Sequence, residues 1–266
     1  MTDIDPRELE SIAVNLAREA GALARQRRSE GVSIAATKSA LADIVTEADR
    51  EVETLIRSRL RELRPADGFL GEESDADPGT SGITWVVDPI DGTVNYAYGI
   101  PFYAVSIAAV RGGADPESWT PLAGAVYVPS LDEMFRAAQG GGAWLDERRL
   151  RVEPDASAAG ALLATGFGYD PATHAPDLGR VSRVMPIARD IRRMGAASID
   201  LCSVAAGRVD GYFERGLKPW DHAAAGLIVT EAGGRFELFP ADETGRVLVV
   251  AAIPGIFERL STLSQP

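Results

Sequence analysis

A chain of 266 residues that is 45% hydrophobic can bury a large core, as one sizeable unit or two packed subdomains, and no apolar run in it is long enough to cross a bilayer. Its net charge of −12 argues against general nucleic-acid binding, because such binding needs a basic stripe. The lone Cys202 permits no internal disulfide, two histidines (His174 and His222) are too few for a His/Cys zinc site, and the acidic, polar start MTDIDPRELES is no signal peptide, so a cytoplasmic location is expected.

Asp5-Pro6-Arg7-Glu8 reads as a capped helix start, and Leu9, Ile12, Ala13, Leu16, Ala17, Ala20 and Leu23 follow at helical spacing as one apolar face. Thr46 is the candidate N-cap of a second helix with a buried stripe of Val52, Leu55, Ile56 and Leu60. Asp49 then falls in the first turn, where an acid commonly does no more than complement the helix dipole. Phe69-Leu70-Gly71 reads as a strand running into Glu72-Glu73, which by residue type alone is a solvated loop. Residues 74–82, rich in Asp, Gly, Ser and Pro, read as a mobile surface loop.

Trp85-Val86-Val87 fits a buried strand that delivers Asp88 to its end just before Pro89 breaks the ladder, so Asp88 and Asp91 are expected on a tight turn. Two carboxylates that close repel unless a hard cation lies between them. Aspartate oxygens and a backbone carbonyl such as that of Ile90 suit Mg²⁺ better than zinc. Gly92 allows close backbone approach to a ligand, and a helix starting at Gly92-Thr93 would set an anion site beside the metal. An acidic protein whose only lysines are Lys38 and Lys218 has few other ways to neutralise an anionic substrate locally. Metal and anion cradle together point to phosphate chemistry.

Residues 104–110, 123–128 and 134–138 read as successive strands, an antiparallel layer with one face under the first helices. Gly140-Gly141-Gly142 is a hairpin turn, since it lacks the Lys-Ser/Thr that a phosphate loop needs. From about Ala156 strand and helix alternate, which predicts a three-layer α/β second half, with Ser198, Leu201, Val204 and Ala205 as a small packing face. Pro219 opens a last buried helix with Asp221 in its first turn, and Ala232-Gly233-Gly234 stops it. Glu231, late in that helix, is expected to be structural.

The string Asp88-Pro89-Ile90-Asp91-Gly92-Thr93, preceded by a strand and followed by Asn95-Tyr96, resembles the signature of the inositol monophosphatase family. That family lies within the Mg²⁺-dependent, lithium-sensitive phosphatases that include fructose-1,6-bisphosphatases. The resemblance extends to Lys38 and Asp49 ahead of the motif, to Gly71-Glu72-Glu73-Ser74, to the helix within Gly195–Gly207, and to Pro219-Trp220-Asp221 with Glu231-Ala232-Gly233-Gly234. Tyr169, where animal relatives carry serine, makes it more like the bacterial members. Val94 replaces a second threonine.

This resemblance implies an α+β / α/β fold of αβαβα layered-sandwich type. Residues 1–152 would form an N-terminal half with most metal ligands, and residues 153–266 a C-terminal half that supplies Asp221 and substrate contacts. It implies roughly two or three Mg²⁺ ions held by Glu72, Asp88, the Ile90 carbonyl, Asp91 and Asp221, with Asp49, Thr93 and Glu72 as the catalytic set. Gly92, Thr93, Gly195, Ala197, Glu214 and Asp221 would contact phosphate or substrate, and Lys38 would organise the metal site. The implied reaction is hydrolysis of inositol monophosphate, with histidinol phosphate, fructose 1,6-bisphosphate and 3′-phosphonucleotides as alternatives. Sensitivity to Li⁺ and a homodimer are further expectations. A regulatory protein acting on the transcription machinery is the alternative of a different class.

Overall fold

The computed structural model describes residues 4–31, 34–37, 44–112, 118–157 and 159–265. In chain order, α1 (Pro6–Glu30) leads through the short pair β1 (Ile34–Thr37) and β2 (Ile44–Thr46) to α2 (Glu47–Leu63). β3 (Gly68–Gly71), β4 (Ile83–Asp91), the six-residue α3 (Thr93–Tyr98), β5 (Ala104–Arg111), β6 (Thr120–Val128), β7 (Glu133–Ala138), β8 (Gly142–Leu145) and β9 (Arg148–Arg149) follow. The rest comprises β10 (Ala161–Thr165), α4 (His174–Val184), β11 (Ala188–Arg192), α5 (Ala197–Ala205), β12 (Gly211–Arg215), α6 (Pro219–Glu231), β13 (Arg235–Phe239), β14 (Leu248–Ala252) and α7 (Pro254–Ser264). No helix of the described residues is long and apolar enough to cross a membrane.

The large sheet has the order β3-β4-β5-β6-β7-β8-β9, antiparallel except for the parallel β3–β4 pair. Alternation sends Trp85, Val87, Val105 and Ile107 to one face against Leu9, Leu16 and Ile56 of the first helices. It sends Val86, Ala108, Val126 and Phe135 to the other, against Cys202 and Val204 of α5 and Ala224 and Ile228 of α6. The sheet is therefore covered on both faces, not on the single face that strand succession suggested. Its far cover is built from α5 and α6, which come after the whole sheet in sequence.

Small residues let that cover sit close: a Cβ on Gly124 of β6 would come within 2.9 Å of the Ala224 backbone. α5 and α6 also roof the second sheet, order β11-β10-β12-β14-β13, through Tyr212, Val249 and Ala251. Beyond that sheet Leu163, Phe213 and Val250 pack on Val184 of α4 and on Phe257 and Leu260 of α7. The layers thus run helix, sheet, helix, sheet, helix, the αβαβα sandwich.

Three local expectations change. β4 does not end before Pro89: it continues to Asp91, and the missing N–H falls in a ladder irregularity where the pairing moves from Asp88↔Ser106 to Asp91↔Ala104. On α2 the buried stripe takes in Glu53, while Leu55 stays partly exposed; the Glu53 carboxylate accepts from the Glu73 amide at 2.8 Å. Residues 74–82 lie at the surface but are tied down, because Asp77 and Phe69 exchange backbone hydrogen bonds of 2.7 and 2.8 Å and Thr80 donates to the Ala66 carbonyl. The Gly140–Gly142 turn is a hairpin, and the Glu231 carboxylate accepts from both glycine amides, which gives that acid a structural task.

Candidate active site

In a regular strand, residues three apart point to opposite faces. The extra residue between Asp88 and Asp91 is a bulge that cancels this, and it brings both carboxylates to one side. Oxygen atoms of Asp88, Asp91 and Asp221 lie within 4.8 Å of one another. The Ile90 amide donates to Asp88 Oδ1 at 3.0 Å, which fixes that carboxylate within the bulge. Asp221, third residue of α6, accepts from the Lys218 amide at 2.6 Å, so a helix start aims it at the bulge. Gly92, at φ 88°, turns the chain out of β4; a Cβ there would stand 2.9 Å from the Phe102 carbonyl.

Asp49 serves two purposes. Its Oδ2 accepts from the Thr46 amide at 2.9 Å and from the Thr46 hydroxyl, closing the capping box of α2, while its Oδ1 accepts from the Thr93 hydroxyl at 3.1 Å. That hydroxyl also lies 3.1 Å from the Ile90 carbonyl. Glu72, just past β3, lines a cavity of about 330 Å³ with Asp88, Ile90, Asp91, Gly92 and Thr93. Gly195, Ala197, Glu214 and Asp221 form more of its wall. Asp49 reaches it through Thr93. Lys38 lies outside the described residues.

Burial holds Asp88 well above the usual carboxylate range, and the charges of Glu72, Asp91 and Asp221 push it further. Asp221 is raised in the same way, by burial and then by Asp91 and Glu72. Asp91 is pushed up to about 6, burial outweighing its hydrogen bonds from Ser198 and Ala197. Burial likewise lifts Asp49 to about 6 against the hydrogen bonds from Thr46. Such an oxygen-only set is a fit for a hard divalent cation, whose charge would let all the acids ionise together.

A stability prediction follows for metal-free protein. Between about pH 4, where an unfolded aspartate ionises, and about pH 6, the folded chain keeps protons that the unfolded chain releases. Stability therefore falls as pH rises through that window. The unfolding temperature of chelator-treated protein should drop from pH 4 to 7, and a divalent cation should abolish the drop; a steady rise would contradict the assignment.

Comparison with known proteins decides the family. The model of the inositol monophosphatase family matches residues 5–253. The chain belongs to that family. The protein named Inositol-1-monophosphatase SuhB of Mycobacterium tuberculosis is 44% identical over 277 residues, covering 97% of this chain and 93% of its own length. A solved structure of Mycobacterium tuberculosis SuhB superposes with a TM-score of 0.81 over 98% of this chain and 97% of that one. The suhB protein of Bartonella henselae, 35% identical, superposes at 0.85 over 97% and 98%. A Pasteurella multocida relative, 39% identical over 96% of this chain and 95% of its own length, carries the name Nus factor SuhB. Membership makes this chain an inositol-1-monophosphatase-like phosphoric monoester hydrolase.

Family motifs did not expose every residue at the cavity. Ser198, read from sequence as part of a packing face, donates to Asp91 Oδ2 from its amide at 2.7 Å and its hydroxyl at 2.5 Å. The Ala197 amide donates to Asp91 Oδ1 at 3.3 Å, so it acts at the cavity through that carboxylate. Asn95 donates to the carbonyls of Phe102 and Met194 at 2.7 and 2.8 Å, tying α3 to the approach of α5.

Glu214, which the resemblance expects at the substrate, lines the cavity. It accepts from the Tyr212 hydroxyl, and burial raises it to about 7. Strand alternation places Tyr212 and Glu214 on one face of β12, a legible signal that motif reading passed over. Gly166 faces them; a Cβ there would overlap the Glu214 carboxylate.

Proposed function

We propose that the chain hydrolyses inositol monophosphate to inositol and phosphate in an Mg²⁺-dependent reaction. The supporting observation is the convergence of Asp88, Asp91 and Asp221 within 4.8 Å in a cavity that also holds the Thr93 hydroxyl and Glu214. Mg²⁺ held by Glu72, Asp88, the Ile90 carbonyl, Asp91 and Asp221 would supply Lewis acidity and neutralise the phosphate charge.

The chain's own groups do the positioning. Because Thr93 donates to Asp49, its oxygen lone pairs are left to accept from a water and orient it toward phosphorus. Asp49 then receives the proton through Thr93 as the P–O bond to the water forms and the bond to the alcohol breaks, and the departing alkoxide takes a proton from solvent to leave as the alcohol. The Gly92 and Thr93 amides hold phosphate oxygens, and the Gly195–Ala197 wall packs directly beside Gly92, where a Cβ would stand 3.2 Å from the Gly195 carbonyl. Glu214 accepts hydrogen bonds from leaving-group hydroxyls.

Charge-assisted hydrogen bonds to a polyol contribute about 1.5–3 kcal/mol. Glu214→Gln should therefore lower kcat/KM for inositol phosphate, relative to p-nitrophenyl phosphate, about ten- to a hundredfold. Equal losses on both would show that Glu214 serves the acid cluster or the fold, and the inositol assignment would lose that support against histidinol phosphate, fructose 1,6-bisphosphate and 3′-phosphonucleotides. A second role acting on the transcription machinery is supported by the relatives named Nus factor SuhB. A homodimer is part of the same proposal, supported by Tyr98 and Ile100, 76% and 45% exposed at the C-terminal end of α3; a monomeric mass in solution would refute it.

A further inference from the structure

Asp200 lies one turn past Ala197 on α5, is only 1% exposed, and lines the same cavity as Glu214. Its Oδ1 is buried without any hydrogen-bond partner among the described residues. A buried oxygen left unmatched destabilises a fold. The flanking Ile199, Leu201 and Cys202 are all buried, so an apolar side chain would satisfy the packing of α5 better. Glu214, from β12, has one oxygen engaged by Tyr212. Arg193, at the exposed rim with its guanidinium 6.0 Å from the Phe167 ring centroid, is the cation whose charge reaches both acids.

We propose that Asp200 is a second recognition residue for the leaving group. The site then selects phosphomonoesters whose alcohol carries at least two further hydroxyls on neighbouring carbons, one met by Glu214 and one by Asp200. A hydroxyl suits this place because it both donates and accepts, and so pairs with the acid in either protonation state. The inference rests on the polyol-phosphate reading above and adds to it a requirement for a second hydroxyl.

The test uses the full chain with Mg²⁺ and compares Asp200→Ala, Asp200→Asn and Glu214→Gln on inositol 1-phosphate and p-nitrophenyl phosphate. Asp200→Ala should lower the ratio of the two kcat/KM values about tenfold, chiefly through KM for inositol phosphate, and Asp200→Asn, which still donates and accepts, should restore most of it. Without metal, Asp200→Ala should unfold at a temperature no lower than the parent. A lower unfolding temperature with an unchanged ratio would show a purely structural acid and overturn the proposal.

If Glu214→Gln lowers the ratio and Asp200→Ala does not, the second contact alone fails; if neither does, the polyol reading fails with it. Deoxy-inositol phosphates on the unaltered chain give an answer independent of folding. Two hydroxyls should each matter, and a single one would overturn the proposal. A larger preference for an amino-alcohol phosphate than for inositol phosphate would overturn it too, since the acid pair would then be a cation site.

Discussion

Asp88→Asn should lower kcat on the order of a thousandfold while raising the unfolding temperature of the metal-free protein. The first effect follows because Lewis-acid stabilisation of a phosphoryl transition state is worth several kcal/mol, and each 1.4 kcal/mol is about a factor of ten. The second follows because burial and the charges of Glu72, Asp91 and Asp221 all disfavour the Asp88 carboxylate when no cation is present. Asparagine keeps an Oδ1 to accept the Ile90 amide, so the bulge should survive. Activity loss coupled to a stability gain is the signature of a residue placed for chemistry at the expense of the fold. A variant that unfolded at lower temperature and kept its turnover would make Asp88 structural. Asp91 is the poorer probe, because both its oxygens accept backbone amides, and an amide group there would forfeit the bond to either Ala197 or Ser198.

Thr93→Ala should reduce kcat by about 10²–10⁴ with little change in KM, the range for loss of a positioned proton-transfer group. Removing the hydroxyl takes away the link between Asp49 and the cavity but leaves the Asp49 capping bonds from Thr46 in place, so α2 should be undisturbed. Asp49→Asn should match Thr93→Ala in activity, and the double variant should lose little more, as groups acting in one relay are not additive. A rise in KM alone would mean that Thr93 binds substrate and orients nothing.

Much of this was legible in the chain. Amphipathic periodicity located α1 and α2, Thr46 and Pro219 marked helix starts, and turn residues located the Gly140–Gly142 hairpin. The acids of the cavity were legible because their spacing is a family pattern. What physical pattern alone could not give was the way three residues of separation put Asp88 and Asp91 on one side. Only the shift in ladder pairing supplies that, and it depends on β5, which comes later in the chain.

Tertiary partners hid the rest. Ser198 and Asp200 sit in a helix of small and apolar residues where packing is the ordinary reading, and their polar roles exist only once α5 lies over β4 and β12. Glu214 and Arg215 adjoin in sequence, but alternation on the strand sends them to opposite faces, and Arg215 donates to the Arg246 carbonyl at 2.6 Å.

The most direct test is phosphate release from inositol 1-phosphate by chelator-treated protein as Mg²⁺ is added back. No release without the ion, followed by saturable recovery that Asp88→Asn abolishes, is the expected result. Full-rate release in the presence of chelator would contradict the central claim that Asp88, Asp91 and Asp221 converge to hold a cation for phosphate ester hydrolysis.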